Sequence, residues 1–491
     1  MLVRPSVGVP WDSIRAVLFP TTDFAIFFVL VFLGHWLLNH EARSWKAFML
    51  LASYVFYGWW DPRYVALLMA VSAIAQVGAI AVAKQQDDRR RMRVLAIAVA
   101  ATIAPLLYFK YYGFFAVNAT NATSALGLGW TPPLIQVVLP VGISFYTFMA
   151  ISYVVDVHRR RFDVASWTDV FLYLAFFPHL VAGPIVRPDE LIPQLDVRRD
   201  QRHLDFANAA WLILGGLFKK VVISSYLSTA IVEPVFGDPS RHSALEALVG
   251  VWGFAVVIYA DFSGYTDIAI GIAQLLGFRF PQNFDRPYTA VSIQDFWRRW
   301  HMTLSRWLRD YLYIPLGGNR KGMRRTYVNL MITMTLGGLW HGAAWTFVVW
   351  GILHGGFLVI GQWKREQREA GVLAEPPATA STVWLQRLAA FHLVCLGWVF
   401  FRADSIGTAF DLLGRLVTGW TTPTELVTPL VLLAIAIGIG TQYVPRAPAE
   451  ALKDLVARTK PVPLGIGVAF VLFVITTLGP QGVAPFIYFQ F

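Results

Sequence analysis

Two of the ten histidines in this chain sit in patterns suited to proton transfer. His341 lies in Thr333-Met-Thr-Leu-Gly-Gly-Leu-Trp-His-Gly-Ala-Ala-Trp-Thr-Phe-Val-Val-Trp350, where every other residue is apolar, small or aromatic. It is the one side chain of that stretch able to exchange a proton near neutral pH. Gly337 and Gly338 precede it and Gly342 follows, so the spacing would let reactants approach the backbone closely. An ionisable group inside a membrane-grade segment is costly and is a functional candidate by default; the plainer reading is a histidine packed for structure. His301 ends the run Asp295-Phe-Trp-Arg-Arg-Trp-His301, and its plainer reading is a histidine at the membrane interface beside Trp297 and Trp300.

Weaker candidates surround these two. Arg298, Arg299, Arg306 and Arg309 can hold a phosphate-bearing molecule or simply solvate a helix surface. Trp300, Arg298, Asp310 and Trp340 flank the two histidines in sequence and are taken as substrate-binding candidates with His179 and Asp261. His179 lies in a proline- and glycine-broken apolar segment, and irregular backbone at membrane depth survives where it lines a cavity or is buried in protein. Asp261 and Asp267 can pair with Lys219, Lys220 or an arginine, which serves architecture as often as function. His354, thirteen residues after His341, would lie about 140° around a regular helix from it and reads as packing. His35, His40, His158, His203, His242 and His392 read as interfacial or structural. No His/Asp/Glu cluster has metal-ligand spacing, and the single cysteine, Cys395, excludes an intramolecular disulfide and a cysteine metal site.

The elements that position these residues must be membrane helices. Of the 491 residues, 56% are hydrophobic and only 14% charged, against roughly 25% charged in soluble domains. The net charge of +11 comes in short bursts between apolar runs, which orients loops to the cytoplasmic side. No basic face with a fold of its own points to nucleic acid. Met1 to Thr22 reads as a short head, an interfacial helix. The first apolar run, Asp23 to Leu38, has no small-residue cleavage site and is expected to stay as an anchor. Further runs cover Lys46 to Trp60, Tyr64 to Ala83, Val94 to Val117 with Lys110 snorkelling at its end, and Leu134 to Val157. The uncharged loop Asn118 to Pro133 reads as the outer side; its two glycosylation-like triplets carry little weight. Val170 to Ile185 is expected to be re-entrant. Phe206 to Val235 either breaks at Lys219-Lys220 or opens onto a wet cavity, and Ser243 to Phe280 is long enough for two segments.

Trp300, Leu304, Trp307 and Tyr311 fall on one helical face, which predicts an amphipathic helix at the cytoplasmic interface. Tyr327 to Trp363 is apolar for about 37 residues between basic flanks. One helix of that length would measure about 55 Å, too long for a hydrocarbon core of about 30 Å. A hairpin with both ends inside and His341 deep fits better. Val383 to Phe401 and runs near Leu426 to Thr441 and Leu464 to Leu478 complete the expectation. The predicted fold is all-α: a polytopic transmembrane bundle of about eleven spanning or re-entrant segments. It is read as one integral membrane domain over residues 1–491, with a core of about 20–405 and C-terminal helices over about 406–491.

Several stretches together resemble the membrane-bound O-acyltransferase (MBOAT) family, nearest to its bacterial alginate O-acetylation branch. They include Ser53-Tyr-Val-Phe-Tyr-Gly-Trp-Trp-Asp61, Pro140-Val-Gly-Ile-Ser-Phe-Tyr-Thr-Phe148, Phe176-Phe-Pro-His-Leu-Val-Ala-Gly-Pro-Ile185, Gly216-Leu-Phe-Lys-Lys-Val-Val222, Asp261-Phe-Ser-Gly-Tyr-Thr-Asp-Ile-Ala-Ile-Gly271, Asp295-Phe-Trp-Arg-Arg-Trp-His301, Leu336-Gly-Gly-Leu-Trp-His-Gly-Ala343 and Trp398-Val-Phe-Phe-Arg-Ala403. They run in the family's order from about residue 20 to about 405.

The resemblance implies helices ringed around a central tunnel or funnel. It implies an acyl group, acetyl in this branch, moved from a cytoplasmic thioester to a hydroxyl. The donor would be acyl-CoA (acetyl-CoA) or an acyl carrier, with no bound cofactor. The acceptor would be an envelope polysaccharide or a periplasmic acyl-relay protein, and the place a bacterial inner (cytoplasmic) membrane. The family's catalytic histidine falls on His341 and a second functional histidine on His301, which could bind the donor, orient His341 or stabilise the tetrahedral intermediate. No Gly-x-Ser-x-Gly elbow is present, so direct transfer is expected. Two other readings remain at this level: a transporter or flippase of an envelope precursor, for which broken segments and buried charge also suit, and a scaffold for a separate transferase.

Overall fold

The computed structural model describes residues 19–133, 135, 137–377 and 379–479, and every regular element among them is helical. Six helices are long and apolar enough to cross a membrane: Arg63–Ala83, Asp88–Ala125, Phe206–Gly237, Ala244–Leu275, Trp345–Glu369 and Ala380–Arg402. Four shorter apolar helices accompany them. The protein is thus a multi-pass membrane protein of all-α class. The predicted head, Met1 to Thr22, falls almost wholly outside the described residues, as does the side chain of His203.

Backbone contacts divide the chain into two compact units. One comprises the described residues up to Leu107, with Val138–Leu204 and Ile272–Phe280. Thr22–Leu38, Ala42–Gly58 and Arg63–Ala83 match the first three predicted runs closely. Gly78 lets Arg63–Ala83 close onto Ala98, where a Cβ would come within 2.8 Å. The predicted run from Leu134 is helical only from Ile143. Gly142 precedes it at φ +76°, and a Cβ there would meet the Leu180 carbonyl oxygen at 2.5 Å. The segment expected to be re-entrant is broken as expected: a nine-residue helix, Trp167–Ala175, stops at Phe176, and Phe177–Leu180 makes one further turn. Nine residues rise about 14 Å, less than half a hydrocarbon core.

The other unit comprises the described residues of Tyr108–Val137, Asp205–Gly271 and those from Pro281 onward. Helix continues past Val117 to Ala125, so the uncharged stretch from Asn118 is half helical rather than a loop. Phe206–Gly237 does not break at its lysines; it widens into π-helical turns at Phe218–Ser224 and Ser228–Val232. Lys220 reaches Asp261 and Lys219 reaches Asp267 in the neighbouring Ala244–Leu275 helix. Gly216 and Gly264 allow that approach, since a Cβ on Gly216 would stand 2.6 Å from the Gly264 oxygen. Ala244–Leu275 is one helix of 32 residues, although the apolar stretch is long enough for two segments. Asp261 and Asp267, the two acids along its length, are met by lysines, and Glu246 in its first turn accepts from backbone N–H groups, so no break is needed to bring them to water.

The stretch Tyr327 to Trp363 forms the predicted hairpin. Met323–His341 turns through residues 342–344 into Trp345–Glu369. The two helices run antiparallel: Gly338 faces Phe347 and Gly351, Met331 faces Gly355, and the Tyr327 hydroxyl donates to Glu366. The predicted amphipathic helix is instead two short ones, Ile293–Arg299 and Met302–Leu308, followed by a π-helical turn. The break is at His301, whose φ of +42° no continuing helix accommodates. Trp300, Leu304 and Trp307 are buried all the same.

Candidate active site

His341 is the last residue of its helix and is almost wholly enclosed. Three aromatic rings surround its imidazole: Trp340 and Trp350 with centroids at 5.0 Å and Phe401 at 5.2 Å. The last carbonyls of a helix have no partner within it, and at membrane depth water does not supply one. Here Lys110 Nζ donates to the carbonyls of Trp340 (2.6 Å) and His341 (3.0 Å), and the Tyr111 hydroxyl donates to that of Leu339 (2.7 Å). A cation at this end also complements the helix dipole. Lys110 is therefore a brace for the histidine-bearing helix end, not a snorkelling side chain.

Two of the three glycines beside His341, Gly338 and Gly342, serve the packing of the hairpin. A Cβ on Gly338 would lie 2.2 Å from the Phe347 carbonyl oxygen, and one on Gly342 would lie 2.0 Å from the Phe347 ring. The space they leave is filled by the second arm of the hairpin, not by reactants.

His301 joins the same cluster through Trp340, whose ring centroid is 6.0 Å from its own. It is fully buried, with the Phe262 ring edge-on at 4.7 Å. His354 arrives from the second arm of the hairpin, where the single-helix geometry assumed from sequence does not apply. Its ring lies 4.7 Å from Trp350, the residue that also touches His341, and its Nδ1 accepts from Trp297 Nε1 at 3.3 Å. Three histidines thus share one aromatic box with Trp297, Trp340 and Trp350.

Beside this box opens a cavity of about 1330 Å³, larger than the roughly 300–1,000 Å³ of ordinary small-molecule pockets. Trp297 is among the residues that line it, and Arg298, Arg306, Arg309, Lys364 and Arg365 make it basic. Trp297 in turn packs on Trp350 at 5.7 Å. Two successive indole rings, Trp297 and Trp350, therefore link the cavity wall to His341.

The remaining candidates divide clearly. Trp300 and Trp340 are buried in the box, Trp300 stacking on Phe296 at 5.5 Å. Arg298 is exposed at the cavity, while Asp310 takes both Nε (2.6 Å) and a terminal nitrogen (3.1 Å) of the cavity residue Arg309. Asp261 is held by Lys220 with both side chains buried, the architectural pairing foreseen as one option. His179 belongs to the first unit, where it donates from Nε2 to the Tyr173 carbonyl at 3.0 Å among Phe176 and Phe280; packing is the reading this geometry favours. Lys110, Tyr111, Asn283 and His354 were not picked out by sequence spacing, because each meets its partner across at least 18 residues or a chain reversal.

Residues 54–396 match the family model of the MBOAT, membrane-bound O-acyltransferase family. The probable alginate O-acetylase AlgI of Azotobacter vinelandii is 38% identical over 411 residues, covering 81% of this chain and 77% of that protein. The peptidoglycan O-acetyltransferase of Helicobacter pylori is 34% identical over 436 residues, covering 82% and 80%. The teichoic acid D-alanyltransferase of Bacillus subtilis is 25% identical over 276 residues, 53% of this chain and 68% of that protein. The match takes in the hairpin, both broken helices around His301 and the brace at Lys110, and with it the chain belongs to the membrane-bound O-acyltransferase family.

Proposed function

We propose that this acyltransferase moves an acetyl group from cytoplasmic acetyl-CoA to a hydroxyl of a cell-envelope polysaccharide, directly or through a periplasmic acyl-relay partner, in a bacterial inner membrane. The relatives named for alginate and for peptidoglycan O-acetylation support the acetyl group and the acceptor class. The basic cavity supports a donor rich in phosphate, since guanidinium groups pair well with phosphate oxygens.

The observation that carries the chemistry is the setting of His341: one enclosed imidazole on a braced helix end, joined to that cavity through the rings of Trp350 and Trp297. Neutral His341 takes the proton of the acceptor hydroxyl as its oxygen attacks the thioester carbonyl. The new C–O bond forms, the oxyanion collapses, the C–S bond breaks, and the proton on His341 passes to the departing thiolate. General base catalysis of this kind is worth about 10²–10⁴-fold.

His341→Ala in lipid nanodiscs, supplied with acetyl-CoA and an acetylatable polysaccharide, should lose at least about a hundredfold in acetyl transfer while its amount in the membrane is unchanged. Wild-type transfer by that variant would remove the base assignment. A wild-type protein that turns over no acetyl-CoA with any envelope polysaccharide or relay protein would remove the donor assignment.

A further inference from the structure

The loop residue Asn283 is fully buried against His301. Its side-chain Oδ1 meets three groups: His301 Nδ1 at 3.1 Å, the Thr303 backbone N–H at 3.1 Å and the Thr303 hydroxyl at 2.8 Å. Its own carbonyl accepts from the backbone N–H of Met302 at 2.9 Å. Asn283 thus caps the first free N–H groups of the Met302–Leu308 helix from a distant stretch of chain, a task usually done by the residue before a helix. His301, which occupies that place, sits instead in the left-handed region at φ +42°. A non-glycine residue stays there only when its surroundings over-determine it.

The chemistry of this contact assigns a proton. A hydroxyl or an imidazole nitrogen can donate or accept, but a backbone N–H only donates. The atom facing Thr303 N–H must therefore be the amide oxygen, because the amide nitrogen there would set donor against donor. An oxygen cannot donate, so the hydrogen between Asn283 and His301 belongs to His301 Nδ1. In its neutral form the ring then carries no hydrogen on Nε2.

We propose that Asn283 is a positioning residue that locks His301 in the Nδ1–H tautomer, so that neutral His301 enters the transfer reaction as a proton acceptor at Nε2. This rests on reading His301 as part of the transfer site. It narrows what His301 can do: while neutral it can only accept a hydrogen bond at Nε2, and it would have to be protonated first for that nitrogen to donate to an oxyanion. The same link between a ring-nitrogen partner and tautomer operates wherever histidine chemistry is tuned by a second residue.

The full-length protein, labelled with ¹⁵N-histidine and reconstituted in lipid bilayers, gives a direct reading by solid-state NMR at pH 8, the His301 signals being assigned from their loss in His301→Gln. The expected pattern for the wild type is a protonated Nδ1 and a bare Nε2. Asn283→Leu should move His301 toward the Nε2–H form and lower kcat about 10–100-fold, the range seen when a histidine's outer partner is removed, at an unchanged KM for acetyl-CoA. Asn283→Asp, which keeps the acceptor oxygen, should restore the wild-type tautomer. A wild-type His301 protonated on Nε2 overturns the proposal, and that measurement stands even if Asn283→Leu does not fold. So does Asn283→Leu with wild-type kcat while His301→Ala is inactive. Full activity of His301→Ala would instead overturn the reading of the site, a result separate from the NMR pattern.

Discussion

Lys110 illustrates how a single side chain can change meaning between sequence and structure. At the end of an apolar run it looks like a lysine reaching for the interface. Folded, it spans 230 residues of sequence to hold the carbonyls of Trp340 and His341. No spacing rule relates positions so far apart, and the same is true of Asn283 and His301. His354 was hidden for another reason: counting thirteen residues along a regular helix placed it away from His341, and a chain reversal after Gly342 brought it back. His341 itself was legible, because a lone titratable group in an apolar stretch needs no partner to stand out. Replacing Lys110 by Met removes both hydrogen bonds and leaves two helix-end carbonyls unmet. The histidine helix end should then shift, and misplacement of about 1 Å costs on the order of a hundredfold in rate. Lys110→Met should therefore lower kcat about 10–100-fold at an unchanged KM for acetyl-CoA, and Lys110→Arg, which still donates, should keep most of the activity. Steady-state kinetics of the two variants side by side checks this; equal loss in both would make the position one of size rather than of donation.

At the scale of elements, length arguments worked where lipid sets the limit and failed where protein does. A 37-residue apolar run had to turn back on itself, and it does. The Ala244–Leu275 helix escapes the same limit: most of its apolar stretch is buried inside the protein, and Asp267 and Asp261 on it meet Lys219 and Lys220. The glycines of the hairpin explain how its arms come so close. Alanine is favoured over glycine within a helix by about 1 kcal/mol, so Gly→Ala should stabilise wherever space is free. At Gly356 nothing lies within 4 Å of the added carbon. At Gly338 that carbon would overlap the Phe347 oxygen at 2.2 Å, and overpacking costs about 1–3 kcal/mol. The two substitutions should therefore differ in sign: Gly356→Ala unchanged or slightly more stable, Gly338→Ala less stable. Thermal unfolding in detergent distinguishes them, and a Gly338→Ala protein as stable as the parent would mean that the arms separate without cost.

At the scale of the whole molecule, the basic bursts and the hairpin together fix a topology that neither fixes alone. Arg324 and Arg325 stand at the start of the first arm, and Lys364, Arg365 and Arg368 at the end of the second. Lysine and arginine beside membrane segments mark the cytoplasmic face. Both ends of the hairpin therefore lie inside, and its tip at residues 342–344 points away from them. Trp345 at that tip donates to Asn118 at 2.8 Å, in the uncharged end of Tyr112–Ala125. Asn121, three residues on and exposed, should then face the periplasm. The basic cavity opens among the residues at the cytoplasmic ends, which is where a CoA thioester would arrive. The prediction follows in a Cys395→Ser background, which removes the only native thiol. Arg324→Cys and Glu369→Cys should be blocked by a membrane-impermeant maleimide only when the cytoplasmic face is open, as in inverted vesicles. Asn121→Cys should react in intact spheroplasts. Labelling of Arg324→Cys and Asn121→Cys from the same side would break the hairpin topology, and with it the proposed route by which a cytoplasmic thioester and an outer hydroxyl would meet at His341.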